Sequence, residues 1–295
     1  MLYALGAGDD IVAVSHECDY PPAARKKPRV IRTYLDTTDS SEAIDGAVHQ
    51  AVAERRSLYE VDHQLLARLA PDVIVTQQLC AVCAIDVTQM SEELQALPTR
   101  PDVIALHPHT LEDVFRDIQL LGARVGRVAQ AHTIVDQSQA RLAQLQRRLA
   151  AITTLPRVWC VEWLYPPMAP GHWVPEQVTY AGGIEVLGRK GEPSRYVSEE
   201  EIIASDPEVL ILMPCGFSIE RTRQELGIVK AQSWWRHLSA VKNGRVFMVD
   251  GPAYFNCAGP RLVQGAELLA GLFHPERCRD LIPPGSYEVI EVAHA

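Results

Sequence analysis

One pattern occurs twice in this chain, as Leu66-Ala-Arg-Leu-Ala-Pro-Asp-Val-Ile-Val-Thr76 and as Ile202-Ile-Ala-Ser-Asp-Pro-Glu-Val-Leu-Ile-Leu212. In each stretch an amphipathic segment runs through a proline–acid pair into a short, continuous apolar run. Proline disfavours helix in the residue before it, and a continuous apolar run is typical of a strand buried on both faces of a parallel sheet. Each stretch therefore predicts a helix followed by a buried strand.

Further apolar runs flank both stretches, and each has the length of a buried strand. In chain order they are Ile11–Ser15, Val103–Leu106, Val158–Val161 and Val246–Val249. Strands that alternate with helical segments indicate parallel α/β sheets with helices on both faces. Because the pattern restarts, we predict two Rossmann-like, three-layer α/β lobes with a ligand cleft between them. One continuous sheet is the alternative.

A long amphipathic stretch, from about Arg127 to Ala151, separates the two halves. Its apolar residues recur mostly at steps of three and four, which predicts one helix. We therefore predict an N-terminal lobe over residues 1–126, a linking helix over 127–153 and a C-terminal lobe over 154–278. Residues 279–295 are predicted to form a C-terminal tail or a late strand.

The composition excludes several classes of protein. Of the 295 residues, 28 are Lys or Arg and 37 are Asp or Glu, so the net charge of −9 argues against nucleic-acid binding. No apolar run approaches the ~20 residues that a membrane span needs. The start of the chain lacks the basic and apolar regions of a signal peptide. We expect a cytoplasmic protein as the chain stands, or a periplasmic or extracellular one if a signal sequence precedes it.

Ligands of open α/β sheets bind outside the carboxyl ends of the strands, so the residues that follow each strand are the candidate site. The candidate ligand-binding residues are His16, Asp19, Tyr20, Gln78, Trp163, Tyr165, His172, Trp173, Gly216, Phe217, Tyr254 and Phe255. Many of them are aromatic although aromatic residues make up only 6% of the chain, which favours a flat, bulky, partly apolar ligand. His172 is either a ligand to a metal or an ordinary hydrogen-bonded loop residue.

The seven cysteines are an odd count in a chain large enough to build its own core, so a disulfide framework is not expected. Five of them follow predicted strands. Cys80-x-x-Cys83 has the spacing of a metal-binding pair, and Cys18 and Cys215 would complete four thiolates for zinc or an iron–sulfur cluster. The alternatives are free thiols or a redox pair formed by Cys80 and Cys83. No nucleophile elbow, phosphate loop or zinc-protease motif is present, so no other enzyme is predicted.

Several segments resemble the cobalamin- and iron-siderophore-binding proteins of ABC importers. They include the aromatic-Pro-Pro and Gly-His-Trp stretches and, within the subgroup labelled cobalamin-binding protein, His16-Glu-Cys-Asp-Tyr-Pro21, Gly171-His-Trp-Val-Pro-Glu176 and Met213-Pro-Cys-Gly-Phe217. The resemblance covers nearly the whole chain. It implies two α/β lobes joined by one long helix, with the ligand held between them.

From the residues and the resemblance together, we expect a non-enzymatic binding protein for a cobalamin-like corrinoid or a related metal complex. The resemblance implies transport, with an ABC transporter permease as the partner, for which Asp86 and Glu199–Glu201 are candidate docking acids. The first alternative is a protein that holds zinc or an iron–sulfur cluster through its cysteines. The second is a thiol redox enzyme that uses Cys80 and Cys83.

Overall fold

The computed structural model describes residues 1–77 and 100–291. The chain divides into two compact units: the first comprises Met1–Pro108 and Arg116–His132, and the second comprises His109–Phe115 and Thr133–Ala295. The lobe boundaries that the sequence suggested, at residues 126, 153 and 278, stay a prediction.

The first unit contains two pairs of strands. Strand β1 (Ile31–Thr33) pairs antiparallel with β2 (Tyr59–Val61), and β3 (Val73–Gln77) pairs in parallel with β4 (Asp102–Leu106). Helices α1 (Ser41–Ala53) and α2 (His63–Leu69) begin after side-chain caps, because Ser40 accepts from the amide of Ala43 and Asp62 from the amide of Leu65. The predicted strand over Val103–Leu106 is confirmed as β4 and starts one residue earlier.

Two helices contribute residues to both units: α3 (Leu111–Arg124) and α4 (Val128–Leu149). The second corresponds to the long helix predicted from Arg127 to Ala151, and its 22 residues span about 33 Å. Its buried apolar residues follow one another at steps of three, four and seven, as the pattern predicted: Ala131, Val135, Leu142, Leu145 and Leu149. Within the second unit, Arg141 Nε donates to Glu267 at 2.9 Å, and Arg148 donates to Asp280 at 2.9 Å.

A five-stranded sheet forms the centre of the second unit. Its strands are β5 (Arg157–Val161), β7 (Ile184–Glu185), β9 (Val209–Leu212), β10 (Val246–Val249) and β11 (Tyr287–Val289), and β6 (Met168–Ala169) pairs separately with β8 (Arg195–Tyr196). The order across the sheet is β11-β10-β9-β5-β7, parallel throughout except for antiparallel β11. The C-terminal stretch predicted as a tail or late strand therefore supplies an edge strand.

Helices surround this sheet in chain order: α5 (Val174–Tyr180), α6 (Glu199–Ser205), α7 (Ile219–Lys230), α8 (Ser239–Lys242), α9 (Gly251–Tyr254), α10 (Leu262–Phe273) and α11 (Pro275–Cys278). All four residues of β9 are buried, as expected of a strand covered on both faces. Almost all of α10 is buried as well. The core of the second unit therefore lies around β9 and α10.

The repeated pattern forms the predicted helix and strand in both units. Ala70 is the C-cap of α2 and Asp206 is the C-cap of α6; both residues have the left-handed conformation and directly precede a proline. Strands β3 and β9 then begin two residues after Pro71 and Pro207. The proline–acid pair thus separates a helix from a strand in each case; β9 is buried, as predicted, whereas the residues of β3 are only half-buried.

One predicted strand is wrong. Ile11–Ser15 contributes only an isolated parallel bridge, between Val14 and Arg29. The ladder does not extend, because the carbonyl of Val30 accepts from the amide of Asp62, and the Arg29 guanidinium donates to the carbonyls of Ser15 and His16. A side chain therefore takes the place of the next strand–strand hydrogen bond.

In the part of the chain that the structure describes, none of the helices combines the length and the apolar character that crossing a membrane would require.

Candidate functional site

The loop that follows Val14 holds the candidate residues of the first unit. The ring of His16 lies 5.3 Å from that of Tyr59, and its Nε2 lies 3.3 Å from the Glu17 carboxylate. The hydrogen bond with His16 lowers the pKa of Glu17. Together with the Arg29 hydrogen bonds to the loop carbonyls, these contacts hold His16 half-buried at a defined position.

The next residues of this loop are exposed. Asp19 forms a 3.5 Å ion pair with Arg25, whose Nε also donates to the Asp19 carbonyl. Tyr20 is 59% exposed and precedes a cis proline, Pro21. An aromatic side chain with this exposure can contact a solute without any repacking of the core. The ligand role of Tyr20 stays a prediction, and its exposure is compatible with that role.

The candidate aromatic residues of the second unit fall into two groups. Trp163 and Tyr165, which follow β5, and Tyr254 are half-buried, whereas Trp173, Phe217 and Phe255 are buried. Trp163 joins the two groups, because its ring lies 5.3 Å from that of Phe217. The Arg221 guanidinium lies 4.4 Å from the centroid of the same phenyl ring, a cation–π arrangement.

Trp173 and Phe255 form part of the core. The indole Nε1 of Trp173 donates to the carbonyl of Phe255 at 2.7 Å, and the two residues are 4% and 1% exposed. Gln177 donates to the carbonyl of Tyr254 at 2.9 Å, so α5 and the end of α9 are linked twice. The sequence suggested that these aromatic rings contact ligand; that role stays a prediction, and their observed contacts are structural.

His172 has a backbone conformation that side chains rarely adopt, with φ at +52°. Its amide donates to the carbonyl of Glu192 at 2.7 Å, and its own carbonyl accepts from the amide of Gly191 at 2.9 Å. The preceding Gly171 packs against the backbone of Pro193 and Ser194, where a Cβ would have no room. The loop over residues 191–194 therefore fixes the backbone of His172.

A second histidine lies beside His172. The ring centroids of His109 and His172 are 5.6 Å apart and the rings are inclined by 31°. Burial, and secondarily the neighbouring His109, lower the pKa of His172, so this imidazole is neutral at pH 7. His109 was missing from the predicted site, although it lies in His107-Pro-His109 directly after β4, where the strand-end rule points.

The buried carboxyl group of Glu185 was also missing from the predicted site. Glu185, on edge strand β7, accepts hydrogen bonds from the amides of Cys160, Leu187 and Gly188 at 2.9, 3.1 and 3.0 Å. The residue as a whole is half-buried, but its carboxyl group is desolvated, and this burial raises its pKa to about 7. Burial, followed by the nearby Glu185, raises the pKa of the Cys160 thiol. Both groups are therefore protonated over much of the acidic range.

Glu185 is expected to make the protein less stable as the pH rises from about 4.5 to about 7. In this window the folded protein retains the proton, whereas the unfolded chain has lost it, so the free energy of unfolding falls by up to about 3 kcal/mol. Glu185→Gln removes the titration. Urea unfolding of this variant at several pH values should show a flatter pH dependence than that of the unchanged protein. Glu199→Gln, at an exposed glutamate, is the control; equal slopes in all three proteins would contradict the assignment.

The cysteines lie in three situations. Cys18, Cys215 and Cys257 are exposed, Cys160 and Cys278 are buried, and Cys80 and Cys83 lie outside the described residues. Within residues 1–77 and 100–291, no group of three or more His, Cys, Asp or Glu residues is arranged to hold a metal ion. The four-thiolate site stays a prediction.

The remaining candidates are loop and surface residues. Gly216 has a φ of +78° in the exposed turn after β9, where a Cβ would meet nothing within 4 Å. Glu199–Glu201, the candidate docking acids, form the exposed first turn of α6 behind a capping box between Ser198 and Glu201. Gln78 and Asp86 lie outside the described residues.

Comparisons with known proteins agree on one kind of protein. The sequence profile of a family described as periplasmic binding protein matches residues 1–253. A vitamin B12-binding protein of Vibrio cholerae is 23% identical over 90% of this chain and 82% of its own length. The high-affinity heme uptake system protein IsdE of Staphylococcus aureus is 23% identical over 62% of this chain and 64% of its own length.

Solved structures match over most of the chain as well. The periplasmic vitamin B12 binding protein BtuF of Vibrio cholerae matches with a TM-score of 0.65 and 20% identity, over 92% of this chain and 91% of that one. A periplasmic heme binding protein from Pseudomonas aeruginosa matches with a TM-score of 0.68 and 18% identity, over 94% and 89%. At these identities the likeness concerns the fold alone, and it confirms the predicted two-lobed α/β class.

Proposed function

Because this chain belongs to the periplasmic binding protein family, we propose that it is a non-enzymatic solute-binding protein for a corrinoid or a related tetrapyrrole–metal complex. The proposal includes a place outside the cytoplasmic membrane and an ABC transporter permease as the partner, as is general for this family. The names of its relatives support the solute class, because they include proteins that bind vitamin B12 and heme.

The observation that carries the proposal is the set of residues that follow β5 in the second unit. Trp163 and Tyr165 are half-buried, so each presents part of a flat apolar ring. His172 lies in the loop after them, which residues 191–194 hold in place. Within the described residues its Nε2 is buried and has no hydrogen-bond partner. Aromatic rings stack on the face of a large conjugated macrocycle, and a neutral imidazole nitrogen can ligate its metal.

Absorption spectroscopy tests this proposal and separates its two solute types. Purified protein is titrated with cobalamin and, separately, with haem, and each complex is then challenged with the other compound. We expect a saturable change in the spectrum of at least one of them, with competition if both use the same residues. No spectral change and no competition with either compound would refute the proposal.

Replacing both Trp163 and Tyr165 by alanine is expected to weaken solute binding by at least about tenfold, because stacking on an aromatic ring contributes ~1–3 kcal/mol per ring by analogy with stacked bases. Tyr34→Ala is the matched control, since Tyr34 lies in the first unit and is 65% exposed. The dissociation constant from the same titration is the measurement. An affinity equal to that of the control would exclude these two rings from the site.

A further inference from the structure

We infer that His109 and His172 form a two-imidazole binding site for a divalent transition-metal ion. The site goes beyond the proposed function because it needs no tetrapyrrole, although it uses the same His172 nitrogen, so a bare ion and the metal of a tetrapyrrole would compete for it. Both residues belong to the second unit. His109 lies in the loop that follows β4, and His172 lies in the loop between β6 and α5. The two imidazoles are neighbours in space although 63 residues separate them along the chain.

The first observation is a pair of buried nitrogens. Within residues 1–77 and 100–291, His109 Nδ1 and His172 Nε2 are both buried and have no hydrogen-bond partner. Leaving a polar atom buried without a partner costs about 1–3 kcal/mol, so such atoms are rare in folded proteins. A metal ion that accepts both lone pairs would remove this cost at two atoms at once.

The second observation is the distance between the rings. Two imidazole nitrogens bound to one ion at ~2.1 Å place their ring centroids roughly 5–6 Å apart when the angle at the ion is tetrahedral or somewhat wider. The observed separation of 5.6 Å falls in this range. Neutral imidazole is a preferred ligand of zinc, copper, nickel and related ions. The spacing therefore fits a shared ion of this class.

The third observation is that both backbones are held in place. The amide of His109 donates to Asp113 Oδ2 at 3.0 Å, and the amide and hydroxyl of Thr110 donate to the same oxygen at 2.8 Å. His172 is fixed by Gly191 and Glu192 in a left-handed conformation that costs energy. A binding site requires such rigid support, since ligand positions must be held within about 0.5 Å.

The carboxylate of Glu176, on the helix that follows His172, already has partners, since it binds Lys190 at 2.7 Å and accepts from the amide of Leu111 at 2.8 Å. Within the described residues, His109 and His172 therefore supply the two protein ligands of the proposed ion. An ion held by two neutral nitrogens keeps positions open for water or an external ligand, as in sites that exchange a bound molecule.

Cobalt(II) is the probe for this site, because its absorption distinguishes nitrogen ligands from thiolates. The protein is titrated with cobalt(II) in the absence of cobalamin and haem. We expect one bound equivalent whose visible bands lack a thiolate charge-transfer band. His109→Gln and His172→Asn should each weaken its binding about tenfold or more, as loss of one of two protein ligands requires. Asparagine is chosen at residue 172 because it tolerates a positive φ.

His237→Ala is the control, at an exposed histidine of the same unit, and should bind cobalt(II) as the unchanged protein does. Far-UV circular dichroism establishes that each variant is folded. The same equivalent with the same spectrum in a His109→Gln, His172→Asn double variant would overturn the inference, as would bands that come only from thiolates. Either result would leave the proposed function standing, because no tetrapyrrole takes part in the experiment.

Discussion

Replacement of Trp173 by alanine is expected to lower the free energy of unfolding by about 3–5 kcal/mol, among the largest effects of any single truncation. The indole is 4% exposed and its Nε1 donates to the carbonyl of Phe255, a residue that is itself 1% exposed. Alanine would therefore leave a cavity and an unpaired carbonyl together. Urea denaturation followed by circular dichroism measures the change.

Trp173→Phe separates the two causes. Phenylalanine fills most of the volume but cannot donate, so the unpaired Phe255 carbonyl alone should cost about 1–3 kcal/mol. We expect the phenylalanine variant to fall between the unchanged protein and Trp173→Ala. A loss below about 1 kcal/mol in Trp173→Ala, the range of surface substitutions, would show that this tryptophan is not a core residue.

Gly171→Ala is expected to destabilise the protein by about 1–3 kcal/mol or more, because the added methyl group has no room. Its Cβ would lie 2.5 Å from Ser194 N and 2.6 Å from the carbonyl carbon of Pro193, and closer still to the carbonyl of Glu192. All three are backbone atoms, so the loop that fixes His172 must move. Cobalt(II) binding should weaken with it, since one of its two imidazoles would be displaced.

Gly227→Ala is the matched control for this change. Gly227 lies inside α7 and a Cβ there would meet nothing within 4 Å, so alanine should stabilise the protein by about 0.5–1 kcal/mol. The two glycine substitutions are thus expected to act in opposite directions. If Gly171→Ala did not lower the free energy of unfolding and left cobalt(II) binding unchanged, the tight packing around His172 would be refuted.

Local signals in the sequence were sufficient for much of the fold. The proline–acid pairs at Pro71 and Pro207 mark a helix end and a following strand, and both signals lie within a few residues, although only the second strand, β9, is buried. Ile11–Ser15 carries the same apolar signal without forming a strand. There the outcome depends on Arg29, which donates to the Ser15 carbonyl, and on Asp62, whose amide occupies the Val30 carbonyl. Neither hydrogen bond can be read from the segment itself.

The candidate site was harder to predict, because its contacts join distant residues. The strand-end rule located His172 and the half-buried Trp163 and Tyr165, but it could not tell these from buried Trp173. His109 has a local signal in its position after β4, but its neighbour His172 lies 63 residues along the chain. Glu185 accepts from Cys160 across the sheet as well as from nearby amides, and no sequence pattern marks its burial. The sequence pattern thus indicates which loops hold the candidate binding residues, whereas packing determines which of their side chains are exposed to a ligand.

Equilibrium dialysis of the unchanged, fully folded protein against cobalamin and against haem tests the central claim most directly. The amount of each compound retained at increasing concentration gives the stoichiometry and the dissociation constant. A solute-binding protein of this kind should retain one molecule of at least one of the two compounds, saturably and with a dissociation constant in the micromolar range or below. Retention that stays proportional to concentration for both, without saturation, would contradict the claim.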